Sequence, residues 1–173
     1  MTIRATRPDT TEYATYYAGY VSKPADGDIV ATLESDRRAF ADLLVSIPES
    51  KGSYRYAEGK WSIRELLGHV VDGERVFTYR ALRFGRGDTT ELPGFDQDVF
   101  VRGANFEERT IADIAAELDH VRVTTVDLFR NFSDEALQRR GVASSNPVSV
   151  RALAWIIAGH AKHHFDILRE RYL

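Results

Sequence analysis

Four stretches of the chain repeat apolar residues at intervals of three and four, the spacing that places side chains on one face of an α-helix. Each stretch starts after a residue that can cap a helix, and the first is closed by a proline. The predicted helices run from Asp28 to Ile47, from Ser62 to about Phe84, from Thr110 to Phe129 and from Ser149 to Tyr172. The pattern therefore predicts four long amphipathic helices.

The second helix has the clearest start. Ser62 and Glu65 have the S-x-x-E spacing of a capping box, in which each side chain binds the backbone N–H of the other residue. Trp61 stands just before the cap, where an apolar residue fixes the angle at which the chain enters the helix. This boundary is therefore predicted by side-chain chemistry as well as by periodicity.

The segments between these helices are less regular. Residues 87–108 form the longest stretch without clear periodicity, and a loop of that length in a compact domain is more often functional than a plain connection. Residues 133–137 indicate a short turn of helix, residues 141–147 a loop, and no alternating strand pattern is found. We therefore expect an all-α fold, an up-down-type four-helix bundle, in which residues 1–173 form a single domain.

Residues 1–27 are interpreted as an N-terminal extension that packs on the bundle. Tyrosines recur there at intervals of three and four, like one face of a short helix, at positions Tyr13, Tyr16, Tyr17 and Tyr20. Aromatic side chains at this spacing usually pack on a core, although the wall of a pocket is the alternative.

Composition narrows the class of protein. The 173 residues are 43% hydrophobic and 28% charged, with a net charge of -3, and the basic residues are not gathered into a tail. These values give no electrostatic reason to expect nucleic acid as a partner. No apolar run approaches the roughly 20 residues of a membrane span, and the N-terminus lacks the apolar stretch of a signal peptide. We expect a cytoplasmic protein without membrane contact.

The chain has no cysteine, so histidines and carboxylates must provide any metal ligands. His160 and His164 lie one turn apart in the apolar stripe of the last helix, close enough to bind one ion. Core histidines held by hydrogen bonds and a solvated face are the alternatives. Burial of two imidazoles without partners is costly, which favours a site. His163 lies to one side of the stripe.

A third metal ligand would have to come from another helix. His69 lies at the edge of the apolar stripe of the second helix, so its direction is open. His120 lies in a polar context, which favours a solvated side chain.

Two motifs resemble a known family. The segment Tyr54–Arg75 contains K-W-S-I-R-E-x-x-x-H, and Gly159–Leu168 contains H-x-x-x-H. Together they resemble the DinB/YfiT-like superfamily, and the resemblance covers most of the chain in helix order. It implies a four-helix bundle, commonly a homodimer, with a divalent metal held by one histidine of the second helix and two of the last. In this sequence those residues are His69, His160 and His164, and zinc or nickel is the implied metal.

The resemblance also implies a range of functions. Characterised relatives include thiol-dependent transferases and isomerases, in which the metal activates a small thiol such as bacillithiol or mycothiol, and other relatives are described as hydrolases. We therefore expect a metal-dependent enzyme that acts on a small molecule, with thiol transfer ahead of hydrolysis. A small thiol would have to arrive as a co-substrate, because the chain has none. A non-catalytic metal-binding stress-response protein and a metal-free helical interaction module remain the alternatives.

Charged and polar residues near the histidines in sequence are candidates for supporting roles. Residues that could orient the imidazoles or accept a proton are Glu65, Asp72, His163 and Asp166. Arg75 and Arg80 follow His69 on the same helix and could hold an anionic substrate. For each charged residue, a solvated surface or a salt bridge is the alternative.

Overall fold

The structure is a computed structural model that describes residues 3–173. Its helices are α1 (Ala18–Val21), α2 (Ile29–Val45), α3 (Ile63–Gly85), α4 (Gln97–Gly103), α5 (Ile111–Arg130), α6 (Asp134–Gln138) and α7 (Val150–Ile167). Two strands, β1 (Arg140–Ala143) and β2 (Asn146–Ser149), form an antiparallel pair.

Helices α2, α3, α5 and α7 form a bundle. Helix α3 packs against α5 and α7, and α2 packs against the same two helices. Helices α2 and α3 are consecutive long helices in the chain, yet this pattern places them at opposite corners of the bundle. The predicted four-helix bundle is confirmed, and its helices follow one another around the axis in the order α2, α5, α3, α7.

Side-chain caps set the starts of the long helices, as the sequence predicted. Asp28 accepts hydrogen bonds from the first turn of α2, and Thr110 and Ser149 do the same for α5 and α7. At the start of α3, the Ser62 hydroxyl accepts from the Glu65 N–H while the Glu65 carboxylate accepts from the Ser62 N–H. Each cap satisfies backbone donors that the helix itself leaves free.

The prediction that residues 87–108 lack regular structure was wrong. They include α4 and a turn of 3-10 helix at Phe106–Glu108. Asp96 caps α4 by accepting from two backbone N–H groups, and Val101 buries the inner face of this short helix. The segment is thus a folded flap rather than an open loop.

The prediction of a loop at residues 141–147 was also wrong, because β1 and β2 form a hairpin there. Ser144 and Ser145 make its turn with φ angles of 53° and 60°. A bridge between Leu92 and Ala143 attaches the flap to the hairpin. The two missed elements therefore support each other at one end of the bundle.

A buried ion pair joins α3 to α5. The Arg122 guanidinium donates from Nε and Nη2 to the two carboxylate oxygens of Glu74, each at 2.7 Å. Both side chains are only 2% exposed. Arg122 also donates to the backbone oxygen of Leu33 on α2, at 3.4 Å, so one side chain links three helices.

The N-terminal segment lies on α7. It forms three turns of 3-10 helix and then α1, instead of one continuous short helix. The carboxylate of Glu12 accepts from the Ser149 hydroxyl at 2.7 Å and from Arg151 Nε at 2.8 Å. The Arg7 guanidinium stacks 4.5 Å from the centre of the Trp155 ring. Among residues 3–173, none of the helices has both the length and the apolar character of a membrane span.

Candidate metal centre

Three buried histidines meet between α3 and α7. Nε2 of His69 lies 3.0 Å from Nε2 of His160 and 3.1 Å from Nε2 of His164. The three rings offer ligand atoms that lie within 4.8 Å of one another, and their residues are at most 8% exposed. The direction of His69, which the sequence left open, is thus toward the last helix.

This arrangement fits a divalent metal ion. Ligands about 2.0–2.1 Å from one ion, at angles of about 90–110°, stand roughly 2.8–3.4 Å apart. Both distances from Nε2 of His69 lie in this range. Without an ion, Nε2 of His69 carries either one proton or one lone pair, so it can form a proper hydrogen bond with only one of the two ring nitrogens that it faces. A cation at the centre of the three nitrogens satisfies all of them.

The protonation states of the three histidines also favour metal binding. Burial, together with a smaller effect of the neighbouring histidines, lowers the pKa of His69 to about 4 and that of His164 to about 2. Burial also holds the pKa of His160 well below its ordinary value of 6.5. All three rings are therefore neutral at pH 7, the form of imidazole that binds metals.

Neighbouring residues hold the rings in place. The Trp61 ring lies 4.7 Å from that of His69, and the Tyr20 ring lies 5.4 Å from that of His160. Gly73 on α3 leaves room for His160, because a Cβ atom at this glycine would stand 2.8 Å from Cε1 of the imidazole. The histidine rings are thus held by Trp61 before α3, by Tyr20 of the N-terminal segment and by the space that Gly73 leaves on α3.

His69 and His160 form part of the wall of a cavity of about 350 Å³, here called the aromatic cavity. Its rings come from the N-terminal segment, α3 and the flap, namely Tyr16, Tyr17, Tyr20, Phe77 and Phe95. The rest of its wall is Ala14, Gln97, Ala143, Ser144 and Asn146. This volume is in the range of small-molecule sites.

His164 lines a second cavity of about 250 Å³, here called the charged cavity. It contains one cation and one carboxylate, Lys60 and Asp98, among apolar and aromatic residues that include Trp61 and Tyr172. Nδ1 of His164 is buried and has no hydrogen-bond partner among residues 3–173. The three histidines therefore border two cavities of different character, and α4 contributes a residue to each.

The supporting candidates lie in different places. The His163 ring is 5.1 Å from that of His164 and 5.4 Å from that of Tyr20, so it flanks the group. The Glu65 carboxylate is used in the α3 cap and in an ion pair with Arg55. These contacts place His163 beside the group and direct Glu65 toward the start of α3.

The two aspartates are held by other partners. Asp166 pairs with Lys23 at 2.9 Å. Asp72 is half-buried, which raises its pKa, and its charged neighbours include Arg75 and Glu117. Among residues 3–173, neither aspartate forms a hydrogen bond with His69, His160 or His164.

The arginines are also engaged. Arg75 pairs with Glu117 on α5 at 2.6 Å. Arg80 is 3% exposed and donates to the backbone oxygen of Pro93 at 2.9 Å and to the Ser144 hydroxyl at 3.0 Å. Arg80 thus holds the flap and the hairpin together behind the aromatic cavity.

The sequence profile of the DinB superfamily matches residues 32–168. This chain belongs to the DinB superfamily. Among curated relatives, a protein of Oceanobacillus iheyensis named as a suspected metal-dependent hydrolase is 25% identical over 134 residues, which cover 76% of each chain. The DinB assignment agrees with the motifs around His69 and His160, and with the donor set it supports a divalent metal.

Solved structures show the same fold. YfiT of Bacillus subtilis, described as a probable metal-dependent hydrolase with an unusual four-helix bundle topology, is 16% identical, with a TM-score of 0.70 over 85% of this chain and 91% of YfiT. A mycothiol-dependent maleylpyruvate isomerase is 12% identical, with a TM-score of 0.65 over 80% of this chain and 58% of the isomerase. The DinB-like protein YjoA of B. subtilis is 24% identical, with a TM-score of 0.59 over 82% and 86%.

Sequence reasoning missed most of the cavity walls of this DinB protein. The tyrosine spacing gave a pocket wall only as the alternative to core packing, whereas Tyr16, Tyr17 and Tyr20 all line the aromatic cavity and Tyr17 also packs on the core. The position of Trp61 in the family motif, eight residues before His69, could have indicated its ring contact. The length of residues 87–108 indicated a functional segment but no particular residue, and the hairpin carried no comparable signal.

Proposed function

We propose that this protein is a divalent-metal enzyme, with zinc or nickel held by His69, His160 and His164, that transfers a low-molecular-weight thiol to an electrophilic substrate. Neutral imidazoles suit both metals. Relatives named as metal-dependent hydrolases and a thiol-dependent isomerase of the same fold support the metal and the general chemistry.

The observation that carries thiol transfer is the meeting of two cavities at one group of histidines. His69 and His160 line the aromatic cavity, and His164 lines the charged cavity. A hydrolase needs one organic substrate and water, whereas a transferase must hold two organic molecules on either side of the reacting atoms. Lys60 and Asp98 suit a polar thiol, and the aromatic cavity suits the electrophile.

A bound divalent ion would supply Lewis acidity that lowers the pKa of a thiol or of water toward neutrality. The protein's own residues hold and orient the reactants. The aromatic walls keep solvent from the electrophilic carbon, and the charged cavity positions the sulfur. A sulfur–carbon bond forms, the leaving group departs from that carbon, and the thiol proton passes to solvent.

Elemental analysis of the purified protein tests the metal. We expect about one divalent ion per chain, lost in His160→Ala. His163→Ala is the matched control, because its ring flanks the group without joining it, and it should retain the ion. Unchanged metal content in His160→Ala would remove the basis of the proposal.

Turnover tests the reaction. Metal-loaded protein is mixed with bacillithiol or mycothiol and chlorodinitrobenzene, and the thioether and released chloride are measured. We expect turnover that needs both thiol and metal and that fails in His160→Ala but not in His163→Ala. Thiol-independent cleavage of nitrophenyl acetate, with no thioether formed, would instead support a hydrolase, the function in the relatives' names.

A non-catalytic role for the metal is the remaining candidate, and one observation favours it. The three histidines come from α3 and α7, so an ion there ties the two helices together. This role predicts strong stabilisation by metal with no turnover in either assay.

A further inference from the structure

The walls of the aromatic cavity point to a class of ligand. Five aromatic rings surround the space in front of His69 and His160, and neutral amides and hydroxyls complete the wall. No lysine, arginine, aspartate or glutamate lines this cavity in the described part of the chain. A charged group that left water for this space would lose its hydration without gaining a counter-ion from any side chain of the wall.

The nearest buried cation does not change this conclusion. The Arg80 guanidinium lies 5.9 Å from the centres of the Phe77 and Phe95 rings. Its side chain is already bound to the Pro93 carbonyl and the Ser144 hydroxyl. The Arg80 charge also acts on the Tyr17 hydroxyl, where it opposes the rise in pKa that burial causes, so Arg80 is bound within the wall and stiffens it.

The tyrosine wall comes from outside the region that the family profile matches. That region begins at residue 32, whereas Tyr16, Tyr17 and Tyr20 precede it. Close contact with α7 holds this wall, because a Cβ atom at Gly159 would stand 1.9 Å from the backbone oxygen of Tyr20. Glycine at this position lets the N-terminal segment reach the histidines.

We infer that the aromatic cavity binds an uncharged molecule with a planar ring, and that the N-terminal tyrosines select it. The further step, that this molecule is the electrophilic substrate, rests on the proposed function. Flat rings stack on or meet the edges of tyrosine and phenylalanine rings. Gln97 and Asn146 offer amide groups to a neutral polar substituent.

Calorimetric titration of zinc-loaded protein tests the class of ligand. The probes share one ring system and differ in charge: naphthamide is neutral, naphthalenesulfonate is an anion that coordinates metals weakly, and naphthyltrimethylammonium is a cation. We expect naphthamide to bind at least tenfold more tightly than either ion. Binding of the anion or of the cation as tightly as naphthamide, or more tightly, would overturn the inference. Tight binding of the cation would mean that the aromatic rings form a cation-binding cage.

Variants test the wall. Tyr17→Ala and Tyr16→Ala should each weaken naphthamide binding by about tenfold. Tyr16 is 75% exposed, so its replacement leaves the bundle folded even if Tyr17→Ala does not. Tyr79→Ala is the matched control, since this half-exposed tyrosine of α3 lies outside the cavity, and it should bind as wild type. Wild-type binding by Tyr16→Ala and by a folded Tyr17→Ala, or equal loss in Tyr79→Ala, would contradict the tyrosine wall.

Zinc content, measured on the same samples, separates the two proposals. His164 does not line the aromatic cavity, so His164→Ala should lose zinc and still bind naphthamide. If the protein binds zinc but does not bind naphthamide, only this inference is contradicted. A protein that binds naphthamide but holds no divalent ion defeats only the proposed function.

Discussion

Two of the buried polar residues of helix α3, Glu74 and His69, differ in how their partners satisfy them. Glu74 forms a complete ion pair with Arg122, in which both carboxylate oxygens receive a hydrogen bond. His69 meets two other imidazoles and no carboxylate, and Nδ1 of His164 is buried without a partner in the described chain. The ion pair is satisfied from within the protein, whereas the histidines need an added cation. We conclude that the first group serves the fold and the second serves a ligand.

The largest effect should come from breaking the ion pair. Arg122→Met leaves the Glu74 carboxylate buried and alone, which should lower the free energy of unfolding by about 3–5 kcal/mol. Urea denaturation at neutral pH measures this loss, and the double variant Arg122→Met/Glu74→Leu should recover most of it. Zinc content should not change in the double variant. A parallel loss of zinc there would show that the two buried groups are coupled.

A second buried carboxylate, Glu12, extends the comparison to acid stability. Burial alone would raise its pKa, but hydrogen bonds from Arg151, Ser149 and the Asp9 backbone outweigh burial and lower the pKa from 4.5 to about 2. Its stabilisation is therefore complete above pH 4.5 and is lost as the pH falls toward 2. That difference corresponds to about 3 kcal/mol.

We expect Glu12→Gln to be less stable than wild type by up to this amount at pH 7. The gap between the two proteins should narrow as the pH falls, as measured by urea unfolding across the range. A gap that does not depend on pH would mean that the Glu12 charge is not the stabilising feature.

Removal of metal tests the histidine side of the comparison. An ion present at 100 times its dissociation constant stabilises the folded state by about 2.7 kcal/mol, or roughly 5–10 °C in melting temperature for a chain of this size. A chelator should therefore lower the melting temperature of wild type. His163→Ala should respond equally and His164→Ala should not respond. A wild-type protein that melts at the same temperature with and without chelator would refute a stabilising ion.

The smallest effect concerns the space beside His160. Gly73→Ala places a methyl carbon 2.8 Å from Cε1 of the His160 imidazole, closer than two such atoms can lie, so the ring must shift. We expect about a tenfold loss of zinc affinity, measured by competition with a chromogenic chelator. Gly103→Ala is the control, because nothing lies within 4 Å of a Cβ atom there. Equal affinity in both variants would show that the ring position is not limiting.

The fold was predictable where local chemistry sets it. The caps at Ser62 and Thr110 define helix starts through contacts within one turn, and such contacts are visible in sequence. The hairpin was not predictable, because its local residues give no turn or strand signal. Its turn uses Ser144 and Ser145 with positive φ, where glycine or asparagine would have given a signal, and Pro147 disguises the short β2.

The site was predictable only in part. The shared face of His160 and His164 follows from helix periodicity, because both residues are on α7. The direction of His69 depends on how α3 packs against α7, which periodicity leaves open, and only the family resemblance indicated it. The homodimer and the cytoplasmic location stay predictions. The cavity walls depend on contacts between distant segments, such as Tyr20 with Gly159.

The order of helices around the bundle has a consequence for how the protein matures. His69 is separated from His160 by 91 positions and from His164 by 95. Contacts between such distant residues form late, because a long loop must close first. During synthesis the nascent chain cannot capture its ion with three ligands until α7 has emerged and docked between α2 and α3. Binding of the ion by all three histidines would therefore coincide with the last step of folding, the docking of α7.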